Sequence, residues 1–229
     1  MAGRRPLPII LAAFLCLLGA AQLVVPPQAA AARGLTTGLF AVSYTSANDA
    51  VRNQWFDTTV RANAGVVRIN LNWESLVGPQ PPADPRNPAD PAYSFAGVDG
   101  AVREAAQRGL DVYFTIYRAP PWAEGPNRPA SSDPGILGSG AWKPDPGALG
   151  DFATALATRY SGAFPDPATG QPLPHVRYYE AWNEPNIPQF LAPQYEGGKP
   201  TGVSIYRDLL RAVANAVKAV DKGNLVIEV

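Results

Sequence analysis

The sequence is short of the side chains on which many enzyme chemistries rely. Among 229 residues there is one cysteine, Cys16, and one histidine, His175. A lone cysteine cannot build a disulfide framework within the chain or a multi-thiolate metal site. A single imidazole rules out a multi-histidine metal site, and a Ser-His-Asp arrangement would have to use His175. No sign of charge is in excess, since 19 Lys+Arg stand against 19 Asp+Glu. Nucleic acid and anionic membranes both call for a basic surface, so neither is an expected partner. After the first strand-like segment there is no glycine-rich phosphate turn but Ser43-Tyr44-Thr45-Ser46, and no G-x-S-x-G elbow occurs. Nucleotide binding and α/β-hydrolase chemistry are set aside on those grounds.

The amino-terminal end has the outline of a secretory signal. Arg4 and Arg5 precede an almost wholly apolar stretch from Leu7 to Val25, and the small-residue run Ala29–Ala32 offers a cleavage site before Arg33. The expectation is a signal peptide at 1–32, a secreted product, and a mature region at 33–229 that contains no cysteine. The alternative is a retained membrane anchor, because residues 7–25 approach the length that spans a bilayer.

Beyond the signal, strand-like and helix-like segments alternate. Gly38–Tyr44, Val66–Trp73, Asp111–Tyr117, Val176–Trp182 and Leu225–Val229 read as strands. Helical periodicity occupies Asn48–Ala64, Gly97–Arg108, Gly147–Tyr160 and Ser204–Val220, and Val51, Trp55, Val60 and Ala64 define the expected apolar face of the first helix. Such alternation implies an α/β fold with a parallel sheet and right-handed crossovers. The turns entering strands two, three and five are tight, whereas the proline-rich loops leaving strands two and three are long. Long loops at the carboxyl ends of strands build the working face of a TIM (β/α)8 barrel, although open sheets also carry ligands there. A whole barrel takes eight units in roughly 250 residues. About five of the eight are visible, so the expected architecture is an incomplete barrel, 33–229 being its amino-terminal portion.

The segment richest in chemistry is Tyr178–Asn186, YYEAWNEPN. The strand pattern delivers Trp182, Asn183 and Glu184 to the strand mouth, where Pro185, lacking an N–H, halts the ladder. A carboxyl group held there against apolar walls would keep its proton near neutral pH, as a general acid must. The Asn183 amide could bind a hydroxyl beside it.

Trp182-Asn183-Glu184-Pro185-Asn186 resembles the strand-four motif of the clan of retaining barrel glycoside hydrolases that includes families 5 and 39. Gly65–Trp73 (GVVRINLNW) is similar to the clan's strand-two segment, and Pro120-Pro121-Trp122 to an element after strand three in family 39. The resemblance implies hydrolysis of O-glycosidic bonds by two carboxylates, with no metal and no organic cofactor, on a polysaccharide or oligosaccharide. It makes Glu184 the acid/base, Asn183 a substrate contact, Arg68 a support for the nucleophile, and Trp73 and Trp122 pocket residues. The clan's nucleophile is a second Glu on strand seven, expected beyond Val229, so residues 33–229 alone are expected to be inactive. Tyr117-Arg118 stands where many relatives have a histidine. A non-catalytic, secreted carbohydrate-binding protein on the same barrel is the alternative function. Glu228 is not taken as the nucleophile, and Glu180, in mid-strand, faces either the barrel interior or the helices.

Overall fold

Strand three shows how the chain sorts its side chains. In Asp111–Tyr117 (β3), Val112, Phe114 and Ile116 alternate with Tyr113, Thr115 and Tyr117. Alternate residues of a strand face opposite sides of a sheet, so one side is apolar and the other polar. Val66–Asn72 (β2) repeats the pattern, with Val67, Ile69 and Leu71 buried and Arg68, Asn70 and Asn72 half-buried. Gly38–Phe40 (β1), Tyr178–Ala181 (β4) and Leu225–Ile227 (β5) complete a five-stranded parallel sheet in the order β1-β2-β3-β4-β5. The computed structural model describes residues 36–130 and 137–228. The signal region, with its possible anchor at 7–25, lies outside them.

The four long helices are Asp49–Arg61 (α1), Ala96–Gln107 (α3), Pro146–Arg159 (α4) and Thr201–Val220 (α5), and a single turn, Trp73–Leu76 (α2), follows β2. Asn48 caps α1 through its Oδ1, and Asp145 caps α4 just ahead of Pro146, both preferred cap chemistries. One hydrophobic cluster joins the apolar strand residues to Phe56, Val98, Val102, Phe152, Leu156, Leu209 and Val213 of the helices. The polar side of β2 and β3 takes no part in that cluster. A doubly wound sheet would need both sides apolar, so helices on one side only are the pattern of a barrel wall.

Several expectations need correction. The buried face of α1 is Phe56 and Thr59, whereas Val51, Trp55 and Val60 are exposed. Tyr44 sets this rotation, with its ring 4.8 Å from Phe56 and its hydroxyl 2.5 Å from Thr59 Oγ1. The first strand ends at Phe40, and Val42–Thr45 forms a 3-10 turn that carries Tyr44 into the core. The second strand stops at Asn72, whose side chain accepts from Ser75 N–H and opens α2 at Trp73.

Between α3 and α4 lies a buried ion pair. Arg159 Nε and Nη2 donate to Asp99 Oδ1 and Oδ2 at 2.8 and 2.6 Å, and the Tyr160 hydroxyl donates to Oδ1 at 2.9 Å. Both charged side chains are 6% exposed. Removing one partner strands a charge in the core, which costs about 3–5 kcal/mol. Asp99→Ala is expected to lower Tm by roughly 6–20 °C, at the 2–4 °C per kcal/mol of a domain this size. A fall below about 2 °C in a thermal melt would show that the pair contributes nothing.

Three tyrosines, Tyr113 half-buried and Tyr160 and Tyr179 buried, set the alkaline limit. Burial, followed by the charges of Glu180, Asp99 and Asp221 respectively, pushes the Tyr113, Tyr160 and Tyr179 hydroxyls above their usual value. A pKa raised in the folded state gives stability that is complete below the unfolded value, about 10, and lost as pH rises toward the folded one. Urea unfolding is expected to show constant stability up to about pH 9 and a steep decline above about pH 10. A flat profile through pH 11 would contradict the assignment.

Candidate functional site

The polar side of the sheet gathers into one network at its carboxyl end. Register sets Arg68 of β2 beside Tyr113 of β3 and Tyr178 of β4, and Asn70 beside Thr115 and Glu180. Glu180 is 1% exposed, which fixes the open question of its direction: it faces the polar side, not the helices. Its Oε2 receives Arg68 Nη2 at 2.9 Å and the Thr115 hydroxyl. The same guanidinium donates from Nε to Thr115 Oγ1 at 2.7 Å and from Nη2 to Asn183 Oδ1 at 2.9 Å. The rings of Phe40 and Tyr113 flank it at 5.9 and 5.6 Å. Asn183, 7% exposed, turns its Nδ2 toward Glu184 Oε2 at 3.4 Å. Arg68, Asn183 and Glu184, singled out separately from the sequence, thus form a continuous line of contacts. Glu180 and Thr115 complete it, and their signal in the sequence was the alternation of polar residues along strands three and four.

The path out of β4 is bent. Pro185 is not what ends the strand. Pairing stops at Ala181, because Trp182 takes a φ of 85° and Glu184 a φ of 42°. Left-handed backbone is rare for a bulky residue and collects at functional sites. Trp182 is held there by full burial and by a 2.7 Å hydrogen bond from its Nε1 to the Phe190 carbonyl. Between them, Ile187 N–H donates to Glu184 O at 3.0 Å, closing the loop over the strand end. The loop after β3 packs on this one: Tyr117 meets the Phe190 ring at 6.2 Å, and Ala192 N–H donates to Ala141 O at 2.8 Å. Gly140 backs directly onto Ala119, where any Cβ would collide with the Ala119 backbone.

Other expectations are not met. Glu184 is exposed, so the described residues do not provide the apolar walls the sequence reading assigned to it. β1 and β5 are sheet edges, and walls at a strand mouth come from strands across a closed barrel. Trp73, expected as a pocket residue, lies in the hydrophobic core. It is fully buried, stacked on Phe152 at 5.4 Å and edge-on to Trp122 at 5.7 Å, because it opens α2 on the helix-covered side. Trp122 is half-buried and lines a cavity that includes none of Arg68, Asn183 or Glu184. Glu228 lies two residues past Val226, whose register partner Tyr179 is on the helix-covered side, and it is exposed.

No protein-family model matches the chain, and no curated protein matches it in sequence. Solved structures do match in fold. The GH39 enzyme from Xanthomonas axonopodis pv. citri is 16% identical with a TM-score of 0.50, over 84% of this chain and 34% of its own. A family 39 glycoside hydrolase from Bacteroides cellulosilyticus is 20% identical with a TM-score of 0.46, over 84% and 31%. A GH5-4 endoglucanase of broad specificity from Clostridium acetobutylicum is 14% identical with a TM-score of 0.48, over 85% and 53%. The chain spans about a third of the length of the family 39 structures it matches. Its one-sided, parallel five-stranded sheet is therefore the α/β fold of the (β/α)8-barrel glycoside hydrolases, seen over part of their length.

Proposed function

We propose that the protein is a retaining glycoside hydrolase with Glu184 as acid/base and a nucleophilic carboxylate supplied by sequence beyond residue 229. The observation that carries this reading is the line Glu180–Arg68–Asn183–Glu184, which holds an amide and a carboxylate side by side at the carboxyl end of a parallel strand. Catalytic groups gather at that end of barrel strands. A carboxyl beside an amide suits glycoside chemistry, because the amide can hold a ring hydroxyl while the carboxyl meets the bridging oxygen.

In the first step the nucleophile attacks the anomeric carbon, and protonated Glu184 gives its proton to the departing oxygen. The leaving alcohol departs and a glycosyl-enzyme ester forms. In the second step Glu184, now ionised, takes a proton from water, whose oxygen displaces the nucleophile and regenerates both groups. The two carboxyls of such enzymes stand about 5–5.5 Å apart. Glu180 is a positioning residue: it fixes Arg68, which otherwise has no carboxylate partner among the described residues, and Arg68 fixes Asn183. The protein is exported, residues 1–32 being removed on the way.

In the protein carrying both carboxylates, Glu184→Ala is expected to lower kcat/KM by about 10²–10⁴ on unactivated saccharides. The loss should be much smaller on aryl glycosides whose leaving groups need no proton. Equal losses on both would sink the acid assignment. Residues 33–229 alone should not turn over aryl β-glycosides, and turnover there that Glu184→Gln abolishes would disprove the need for a distant nucleophile. Glu180→Gln should destabilise the fold by about 1–3 kcal/mol, since Arg68 keeps a third of its surface in water. It should also raise KM more than it lowers kcat, and an unchanged KM would remove its positioning role. Amino-terminal sequencing of protein from the medium should begin at Arg33, and membrane-bound material starting near Met1 would favour the anchor.

A further inference from the structure

Arg118 leaves β3 in a conformation that arginine seldom takes. Its φ is 59°, in the left-handed region, and such backbone persists only where the surroundings hold it. Here both flanks do. The Glu74 N–H donates to the Arg118 carbonyl at 2.9 Å, and Gly140 packs so closely that a Cβ there would stand 2.6 Å from the Arg118 carbonyl carbon. The turn re-aims the side chain. Strand alternation would send residue 118 to the helix-covered side with Ile116, yet its guanidinium carbon lies over the Tyr117 ring, 5.7 Å from the centroid. Tyr117 continues the polar side of β3 after Tyr113 and Thr115, and the same ring meets Phe190 of the loop that presents Glu184.

The guanidinium is fixed without a counter-charge. Its Nε is shut off from water and has no acceptor, so the side-on edge of the fork is closed. Nη1 and Nη2 donate no hydrogen bond among the described residues and are not enclosed, which leaves the end-on edge open to solvent. The other charges of the adjoining strands and loops are engaged: Arg68 with Glu180, Arg128 with Glu124, Lys143 with Glu196, and Glu74 with the Ser139 hydroxyl. Water satisfies the two Nη atoms, so no bond is missing. What sets Arg118 apart is a positive charge locked in direction at the carboxyl end of a parallel strand, where barrel enzymes hold substrate.

A cation is repelled by that charge, and a neutral hydroxyl gains little from it. A carboxylate offers two oxygens in one plane, which matches the open Nη1/Nη2 edge, and bonds between ionised partners are the strong ones. We propose that Arg118 is a specificity-determining residue that selects a uronosyl unit of the substrate by its carboxylate. That the carboxylate belongs to a sugar rests on the glycoside reading above.

The test titrates the protein carrying both catalytic carboxylates, by calorimetry, with methyl β-D-glucuronide, methyl β-D-galacturonide, their neutral methyl esters and methyl glucoside 6-sulfate. At least one uronate is expected to bind about ten- to a hundredfold tighter than its ester, the worth of one charge-assisted contact. Arg118→Gln should bring acid and ester level. Arg118→Lys keeps the charge, loses the fork and should retain part of the gap, with thermal melts showing that both variants fold. Equal affinity for both acids and their esters, a parental gap in Arg118→Gln, or tighter binding of the sulfate would each overturn the proposal. Failure of the catalytic reading looks different: no glycoside is turned over while the gap persists, whereas failure of this proposal leaves Glu184-dependent turnover and no gap.

Discussion

Glu180 sits almost wholly out of water in the middle of a strand, and the Arg68 guanidinium 2.9 Å away makes that position tenable. A buried carboxylate without a partner is among the most expensive groups a fold can carry. The pairing is also directional. Arginine presents a planar fork of donors, and here the fork meets Thr115, Glu180 and Asn183 on three different parts of the chain. A lysine could neutralise Glu180, but its single ammonium could not fix the amide of Asn183 from the same rigid plane. The pair therefore turns sheet register into site geometry. A slip of one residue in β2 would turn Arg68 toward the helices and Val67 toward Glu180, so a register fault and a lost site are the same event.

That coupling explains why the two sides of the sheet are so unlike. The helix-covered side is filled with Val, Ile, Leu, Phe and Ala and determines that the wall forms at all. The polar side contributes little apolar burial, and what it provides is direction. At its carboxyl end the chain accepts two left-handed residues, Trp182 and Glu184, within three positions. The strain is held by the burial of the Trp182 ring and its bond to the Phe190 carbonyl. Hydrophobic burial of one side chain thus supports an exposed carboxylate two residues on.

Much of this was legible in the sequence. Strand β3 falls on the segment expected, because apolar β-branched and aromatic residues alternate there without interruption and a tight turn leads into it. The line Arg68–Asn183–Glu184 came from the resemblance of two motifs, with the strand-mouth position of Asn183 and Glu184 legible from the strand pattern as well. The failures have physical causes as well. The α1 stripe through Val51 and Trp55 was misread because Tyr44, distant in sequence, selects Phe56 as the inward residue. Trp73 was placed in the pocket by the resemblance of its motif, yet the Asn72 cap starts a helical turn there and the ring lies in the core. Trp182 was given to the strand, since nothing in its identity announces a φ of 85°. Each error concerns rotation or termination, which tertiary contacts decide, whereas element type follows from local pattern.

At Glu184 the loop after β4 is tied down by backbone bonds and by the Tyr117–Phe190 contact, so that one carboxylate is presented in a single geometry. Around Trp122 the walls are prolyl and aromatic rings, and the carboxylates at the rim, Asp145 and Asp151, cap α4 and pair with Arg86. The neighbours of the Glu184 carboxylate are held in turn, Asn183 by Arg68 and Arg68 by Glu180 and Thr115, whereas Asn70 Oδ1 on the same side of the sheet is buried with no partner among the described residues.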